Sequence, residues 1–365
     1  MKLIIAAGGT GGHLFPGISV AEFLKKRDPG GEVLFVGSGR PIERDIFGRQ
    51  GVRYEMLEVG RIKGAGMIDR FKTILGLPVA VWAASRLLQR FRPDVVLGIG
   101  GYSSGPVLLA AKMKGIPGAV LEPNAIPGFT NRLLGHLVDR VFVAFEKAGS
   151  YFSIKKVRQT GTPVRASLTA IGRGRRETIE QTKSGVFTLL ILGGSQGARS
   201  LNQAVVAALP QWGGGRFRII HQTGAHDIES IRTSYKGCPL DHRVEAFLYS
   251  EELEAAYREA DLAVCRAGAS TMAELIETAT PSLLVPYPFA ADDHQSWNAM
   301  ALSQEGGAEV LKDGELGRLA ERVLFYAKNP ERLRDMREKL LQMRKVPSAE
   351  TVAQECLEMA RASNA

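Results

Sequence analysis

A short apolar run that breaks into glycines and then resumes as a helix occurs twice in this chain, and few folds accommodate it. The first copy is Ile4-Ile5-Ala6-Ala7-Gly8-Gly9-Thr10-Gly11-Gly12-His13, with a helical pattern from Ile18. The second is Thr188–Leu192, then Gly193-Gly194-Ser195-Gln196-Gly197-Ala198-Arg199, with a helical pattern over Leu201–Leu209. Each copy reads as a buried strand, a tight loop and a helix N-terminus. Glycines let backbone N–H groups close on a ligand, and the helix N-terminus adds partial positive charge suited to phosphate. One such turn is also what a plain βα connection needs, with His13 a solvated residue. Two in one chain point to two similar domains facing a shared cleft.

Strands and helices alternate between the two copies, which predicts parallel sheets covered on both faces. In the first half the strands are Lys2–Ala7, Glu32–Gly37, a weaker Arg53–Leu57, Asp94–Ile99, Gly118–Leu121 and Arg140–Ala144. Gly100-Gly101-Tyr102 forms another glycine turn, and Glu122-Pro123-Asn124 follows a strand where open α/β sheets place ligands. The periodicity fails between Val157 and Gly185. A linker is expected near Thr160–Pro163, with Gly172-Arg173-Gly174-Arg175-Arg176 as an exposed basic loop. In the second half Cys265-Arg266-Ala267-Gly268-Ala269-Ser270-Thr271-Met272-Ala273-Glu274 repeats the strand–glycine–helix layout. Ser270 or Thr271 is expected to cap that helix, and Glu274 lies one turn inside it, within reach of a ribose or of the helix's own N-terminus.

At 365 residues the length suits two or three domains. Three cysteines, Cys238, Cys265 and Cys356, form neither a metal spacing nor a disulfide framework, which fits a reducing compartment. Lys2 precedes too few apolar residues for a secretory signal. The longest apolar run, Ile74–Ala84, has 11 residues, against about 20 for a spanning helix. The formal charge of +9 suits anionic partners, but no nucleic-acid module is present. Between Gly60 and Arg92 cations and large apolar side chains alternate: Arg61, Lys63, Arg70, Phe71, Lys72, Ile74, Leu75 and Trp82. That segment reads either as core-facing helices with solvated cations or as a patch seated on an anionic membrane surface. Pro78 is expected to break or bend it.

Several chemistries are excluded. Leu14 stands where a G-x-G-x-x-G loop needs its third glycine, which disfavours a nicotinamide dehydrogenase. No G-x-x-x-x-G-K-[ST] or D-x-D occurs, and Asp292-Asp293-His294 is weak as a metal site.

Taken together and in order, Gly8–His13, Gly100–Tyr102, Glu122–Asn124, Gly193–Ala198, Arg266–Glu274, Asp293-His294-Gln295 and Trp297-Asn298-Ala299 resemble the MurG family of N-acetylglucosaminyltransferases, over essentially the whole chain. The resemblance implies a GT-B fold, two Rossmann-like α/β domains with parallel sheets facing a deep interdomain cleft. Residues 1–162 would hold acceptor and membrane, 163–345 the nucleotide sugar, and a helix at about 346–365 would pack back on the first domain. It implies inverting transfer of N-acetylglucosamine from UDP-GlcNAc to the C4 hydroxyl of the muramoyl-pentapeptide of lipid I, giving lipid II. The protein would lie peripherally on the cytoplasmic face of the bacterial cell membrane, with other cell-wall synthesis proteins as further partners. No cofactor is required.

Carried over by position, Ser195, Ser270 and Thr271 resemble diphosphate or nucleotide contacts, Glu274 a ribose ligand and Leu248 a backbone contact to uracil. Arg165, Thr10 and Asn124 resemble further donor-side contacts, and His294 and Gln295 contacts to sugar hydroxyls. Gly11, Gly12, Gly100, Gly101 and Tyr102 would receive the acceptor diphosphate. His13 is the leading general base because imidazole titrates near working pH, with Glu122 as rival base or acceptor-orienting group and Asn124 beside it. The chain departs from the family pattern at Leu121 and Pro123, where some relatives read His-Glu-Gln-Asn against Leu121-Glu122-Pro123-Asn124, at His294, where some members carry glutamine, and at Thr280, where glycine is frequent. Two rival readings keep the nucleotide sugar without the acceptor: a UDP-GlcNAc 2-epimerase on the same fold, and a non-catalytic nucleotide-sugar-binding protein.

Overall fold

The computed structural model describes residues 1–9, 11–57, 67–177, 185–194, 197–213, 215–344 and 347–364. The chain divides into two compact units, Met1–Arg165 with Val346–Ala365, and Ala166–Lys345.

The first unit runs β1 Lys2–Ala7, α1 Gly11–Arg27, β2 Glu32–Gly37, α2 Pro41–Arg49, β3 Tyr54–Met56, α3 Met67–Phe91, β4 Val95–Gly100, α4 Ser104–Met113, β5 Gly118–Glu122, α5 Phe129–Leu137, β6 Arg140–Val143, α6 Glu146–Gly149 and β7 Val157–Gln159. Its sheet has the order β3-β2-β1-β4-β5-β6-β7, and every pair is parallel. Because side chains alternate across a strand, the apolar run of β1 serves two cores. Leu3, Ile5 and Ala7 join one with Leu14 and Ile18 of α1, and Ile4 and Ala6 join the other with Leu87 and Leu88 of α3.

The second unit runs α7 Ala166–Glu177, β8 Phe187–Leu192, α8 Arg199–Trp212, β9 Phe217–Gln222, α9 Ile228–Ser234, β10 Asp241–Glu245, α10 Ser250–Glu259, β11 Leu262–Cys265, α11 Ala269–Thr278, β12 Ser282–Leu284, α12 His294–Gln304, β13 Ala308–Val310, α13 Leu319–Lys328 and α14 Pro330–Met343. Its parallel sheet has the order β10-β9-β8-β11-β12-β13. The last helix, α15 Ser348–Asn364, returns to the first unit, where Val352, Ala353 and Cys356 enter the core beside α1. In both sheets the first strand has the next two strands on one side and the remaining strands on the other. Open α/β sheets place their ligands at such a switch point, here beyond the carboxyl ends of β1 and β4 and of β8 and β11.

Three local expectations change. Helix α1 begins at Gly11, so His13 sits in its first turn rather than in a loop. Pro78 lies inside the single 25-residue helix α3 without ending it. The glycine-rich basic stretch 172–176 lies in helix α7 rather than in an exposed loop. Gly172 lets α7 approach α11, since a Cβ there would stand 2.1 Å from the Glu277 carbonyl oxygen. Arg175 then reaches the carboxyl ends of two helices. It donates to the carbonyls of Tyr257, Arg258 and Ala260 at the end of α10, and to those of Thr278 and Ala279 and the Thr280 hydroxyl at the end of α11. A cation there satisfies terminal carbonyls and opposes the helix dipoles. Burial holds its pKa below the ordinary arginine value, with Arg337 pushing the same way and Asp261 opposing.

Arg175→Met removes those bonds and leaves buried carbonyls unpaired, so unfolding free energy should fall by roughly 3 kcal/mol. Urea denaturation measures it. A change within about 0.5 kcal/mol, typical of a surface substitution, would contradict the role given to this guanidinium.

Candidate active site

At the first switch point three loops interlock around Gly8. Gly101 has φ +79, and a Cβ on it would stand 2.0 Å from the Gly8 carbonyl oxygen. Only glycine fits such an approach. Ser104 pins the β4–α4 turn with its hydroxyl 2.7 Å from the carbonyl oxygens of both Ala6 and Gly100, which share its one proton, and Ser103 donates to the Val36 carbonyl at 3.0 Å. The β1–β4 register shifts between Ala6 and Ala7, so Ala7 pairs with Gly100.

His13 Nδ1 lies 2.9 Å from the Gly8 carbonyl oxygen. A carbonyl can only accept, so Nδ1 carries the proton and Nε2 is the acceptor nitrogen of the neutral ring. Nε2 is on the Gly100 side, 3.3 Å from where a Cβ of Gly100 would be. Tyr102 lies beside it with its ring under Arg40, 5.7 Å from the guanidinium carbon.

Glu122 ends β5 and is 1% exposed. One oxygen accepts from the backbone and side-chain nitrogens of Asn124, at 2.9 and 3.0 Å, and the other from Gly128 N at 3.0 Å and Asn131 Nδ2 at 2.9 Å. A carboxylate engaged by four donors holds the loop into α5. In this arrangement Glu122 is a post for Asn124 and Asn131. Sequence reasoning missed Asn131, a buried asparagine on α5 whose Oδ1 has no hydrogen-bond partner among the described residues. It also missed Glu43 of α2, fully buried and bonded to the Gly9 amide at 2.6 Å. Arg165, the last residue of this unit before α7, lies over the Phe15 ring of α1 at 5.5 Å.

At the second switch point Gly194 and Gly197 have φ +78 and +76, and a Cβ on Gly197 would stand 2.8 Å from the Thr223 carbonyl oxygen. A buried polar network backs that contact. His221 Nδ1 lies 3.2 Å from the Tyr235 hydroxyl and Nε2 3.1 Å from Asn202 Oδ1, while Asn202 Nδ2 donates to the Thr223 carbonyl and to Asp227. Burial pushes the His221 pKa down to about 3, so the ring is neutral.

Helix α11 starts after Gly268, which is its N-cap. Ser270 and Thr271 are thus second and third in the helix, not caps as expected, and the first-turn amides point toward the crevice entrance of β11. The carboxylate of Glu274 accepts from the Tyr257 hydroxyl at 2.9 Å. Arg266 at the end of β11 is buried, donating to Val285 and Pro286 carbonyls, to Asp313 at 2.7 Å and to the Ser200 hydroxyl at 2.7 Å. Leu248 is buried. His294 begins α12 with Nδ1 2.6 Å from the Ala291 carbonyl, and Gln295 spends its amide oxygen on Tyr287 N at 3.0 Å. Asp292 and Asp293 before it both have left-handed backbone, φ 54 and 51.

Thr10, Ser195, Arg61 and Lys63 lie outside the described residues. Arg70, Phe71, Lys72, Ile74 and Leu75 fall on helix α3, with side chains outside the described part. Further along α3, Ala80, Ala84, Leu87 and Leu88 are buried, whereas Val79 is 66% and Trp82 60% exposed. Arg86 lies over the Trp82 ring at 4.8 Å. No helix of the described residues is long and apolar enough to cross a membrane.

Residues 3–143 match the glycosyltransferase family 28 N-terminal domain and residues 188–352 the family 28 C-terminal domain. The UDP-N-acetylglucosamine--N-acetylmuramyl-(pentapeptide) pyrophosphoryl-undecaprenol N-acetylglucosamine transferase of Syntrophus aciditrophicus is 40% identical over 99% of both chains. The chain belongs to this transferase family. MurG of Acinetobacter baumannii is similar in structure, with a TM-score of 0.77, 29% identity and coverage of 98% of this chain and 99% of that one. The UDP-GlcNAc 2-epimerase of Neisseria meningitidis, at 14% identity and a TM-score of 0.68 over 98% and 100%, shares the fold alone. As a member of the transferase family, the protein is a glycosyltransferase of two α/β units, each with a parallel sheet.

The neutral His221 gives one prediction. Its native pKa is below the unfolded value of about 6.5, so the unfolded chain binds the extra proton as pH falls, and stability is lost from about pH 6.5 down toward pH 3. The loss approaches about 1.4 kcal/mol per pH unit. In urea denaturation between about pH 6 and pH 4.5, His221→Gln should remove one proton's worth of that slope. An unchanged slope would contradict a neutral buried imidazole.

Proposed function

We propose that this protein moves N-acetylglucosamine from UDP-N-acetylglucosamine to the C4 hydroxyl of the muramoyl residue of lipid I, undecaprenyl-diphospho-MurNAc-pentapeptide, giving lipid II and UDP in peptidoglycan synthesis. The observation that carries this reading is family membership across the whole chain.

The chemistry assigns the parts. The donor lies on the second unit. The α11 N-terminus with Ser270 and Thr271, and the loop containing Ser195, hold its diphosphate. Glu274, oriented by Tyr257, binds the ribose hydroxyls. Leu248 presents backbone to uracil, and His294 and the Gln295 NH₂ meet the sugar hydroxyls. Arg165, Thr10, Gly11, Gly12 and Asn124 complete the donor side. Gly11, Gly12, Gly100, Gly101 and Tyr102 receive the acceptor diphosphate at the first switch point. His13 Nε2 takes the C4 hydroxyl proton as that oxygen bonds to C1 and the C1–O bond to UDP breaks, inverting the anomeric centre. Helix N-termini stabilise the charge on departing UDP, and no step calls on a metal.

The acceptor is a lipid, so the protein works at the cytoplasmic face of the cell membrane as a peripheral protein. Val79, Trp82 and Arg86 of α3 support contact with an anionic surface, apolar side chains entering the interface and cations meeting headgroups. Arg61, Lys63, Arg70, Phe71, Lys72, Ile74 and Leu75 extend that patch. Other cell-wall synthesis proteins are further partners.

Two measurements test this reading. UDP release should require a short-chain lipid I analogue, and His13→Ala should lower turnover by roughly 10²- to 10⁴-fold with UDP-GlcNAc affinity within about twofold. Release without acceptor, or unchanged turnover in His13→Ala, would contradict the reaction or the base respectively. Trp82→Ser with Val79→Asp should abolish flotation with anionic vesicles, and flotation equal to the parent protein would contradict the membrane face.

A further inference from the structure

Glu43 is buried too well, and bonded too far away, for a helix-capping residue. Its Oε2 accepts from the amides of Ser38, Gly39 and Arg40 at 2.7, 3.0 and 3.3 Å. Those three bonds are ordinary work for a glutamate in the first turn of α2. Its Oε1 accepts from the Ser38 hydroxyl at 2.6 Å and from the Gly9 amide at 2.6 Å. Gly9 belongs to another loop, 34 residues upstream, and capping does not explain that bond. Each of these partners, among the described residues, donates, so the group sits there as an acceptor carboxylate.

The Gly9 N–H and the Gly8 carbonyl are two ends of one peptide group. The N–H points to Glu43, and the carbonyl accepts from His13 Nδ1. That peptide is planar and conjugated, so charge at its nitrogen end polarises its oxygen end. It is also clamped. Gly9 has φ +109, Gly101 abuts the Gly8 oxygen, and a Cβ on Gly8 would meet the Ser103 hydroxyl at 3.0 Å and Ser38 at 3.2 Å.

We propose that Glu43 is a positioning residue for His13 that acts through the Gly8–Gly9 peptide, in a hydrogen-bonded carboxylate–peptide–imidazole relay. The proposal rests on the reading of His13 as the base. The relay fixes the tautomer with Nε2 as acceptor. Its buried negative end stabilises the imidazolium formed when His13 takes the acceptor proton, the task a carboxylate performs by direct contact in a hydrolytic triad. Other charges act on the same ring. Arg40, from the N-cap of α2, donates to the Gly9 carbonyl at 3.2 Å and opposes the imidazolium, as does Arg165 over Phe15 of α1. Glu122, behind Asn131 on the Gly100 side, supports it, and Tyr102 adds a neutral phenol.

Glu43→Gln separates the relay from the cap. Three amides at the Oε2 position demand an oxygen, so the glutamine NH₂ turns toward Ser38 and Gly9 and the bond to Gly9 is lost. Turnover with UDP-GlcNAc and a short-chain lipid I analogue should fall roughly ten- to a hundredfold with the donor KM unchanged. Loss of the negative charge disfavours imidazolium, so the basic group's limb of the pH–rate profile should move to lower pH. The His13 titration, followed by ¹⁵N NMR without substrate, should move the same way. In a His13→Ala background, Glu43→Gln should have no further effect on turnover. A His13 titration unmoved by Glu43→Gln, or an equal slowing with and without His13, would overturn the proposal. If His13→Ala turns over normally, the base reading fails by itself, and the NMR titration still decides the relay. Should Glu43→Gln not fold, the parent protein carries the test: the ¹⁵N-labelled Gly9 amide should shift with the His13 titration, and a silent Gly9 amide would overturn the relay.

Discussion

The contact between the Gly101 backbone and the Gly8 carbonyl oxygen constrains the first unit more than any side chain does. A Cβ on Gly101 would stand 2.0 Å from that oxygen, so the β1–α1 and β4–α4 loops close on one another only because nothing stands between them. Their closure brings the first turn of α1, with His13, beside Gly100 at the sheet's switch point. In the second unit Gly197, ahead of α8, makes a comparable approach to the Thr223 carbonyl beyond β9, on the side of β8 away from β11. Glycines supply the proximity, and buried side chains from neighbouring elements make it rigid: Ser104 and Glu43 in one unit, Asn202 and His221 in the other.

Two buried acids of the first unit, Glu122 and Glu43, work in this way. Glu122 gathers the loop carrying Asn124 and Asn131, and Glu43 gathers the loop ahead of α2 together with Gly9. Each is saturated with donors, which suits a scaffold and not a group that must exchange protons with substrate. His13, by contrast, meets this scaffold through its ring nitrogen Nδ1, 2.9 Å from the Gly8 carbonyl oxygen.

The periodicity of the sequence made the two parallel sheets legible, because strands buried on both faces read as unbroken apolar runs and glycines mark where they end. The glycine loops were legible for the same reason. Local signals failed where tertiary contacts decide. Gly172 and Gly174 argue against helix by propensity, yet α7 forms because Gly172 admits α11 and Arg175 binds two helix ends. Gly11, Gly12 and Pro16 disguised the start of α1, and Gly268 rather than a serine or threonine caps α11. Glu43, Asn131 and His221 carried no sequence signal at all, since each earns its place through partners that lie far away in the chain.

In the proposed reaction the acceptor oxygen bonds to C1 as the base takes its proton and UDP departs from the opposite face, a single displacement. The most direct measurement is the configuration and position of the glycosidic bond in the product of UDP-GlcNAc and a lipid I analogue, read by NMR. UDP-GlcNAc is an α-glycoside, so the account predicts a β-1,4-linked disaccharide. An α linkage would mean retention and a different displacement, and recovery of an epimerised nucleotide sugar with no disaccharide would contradict transfer itself.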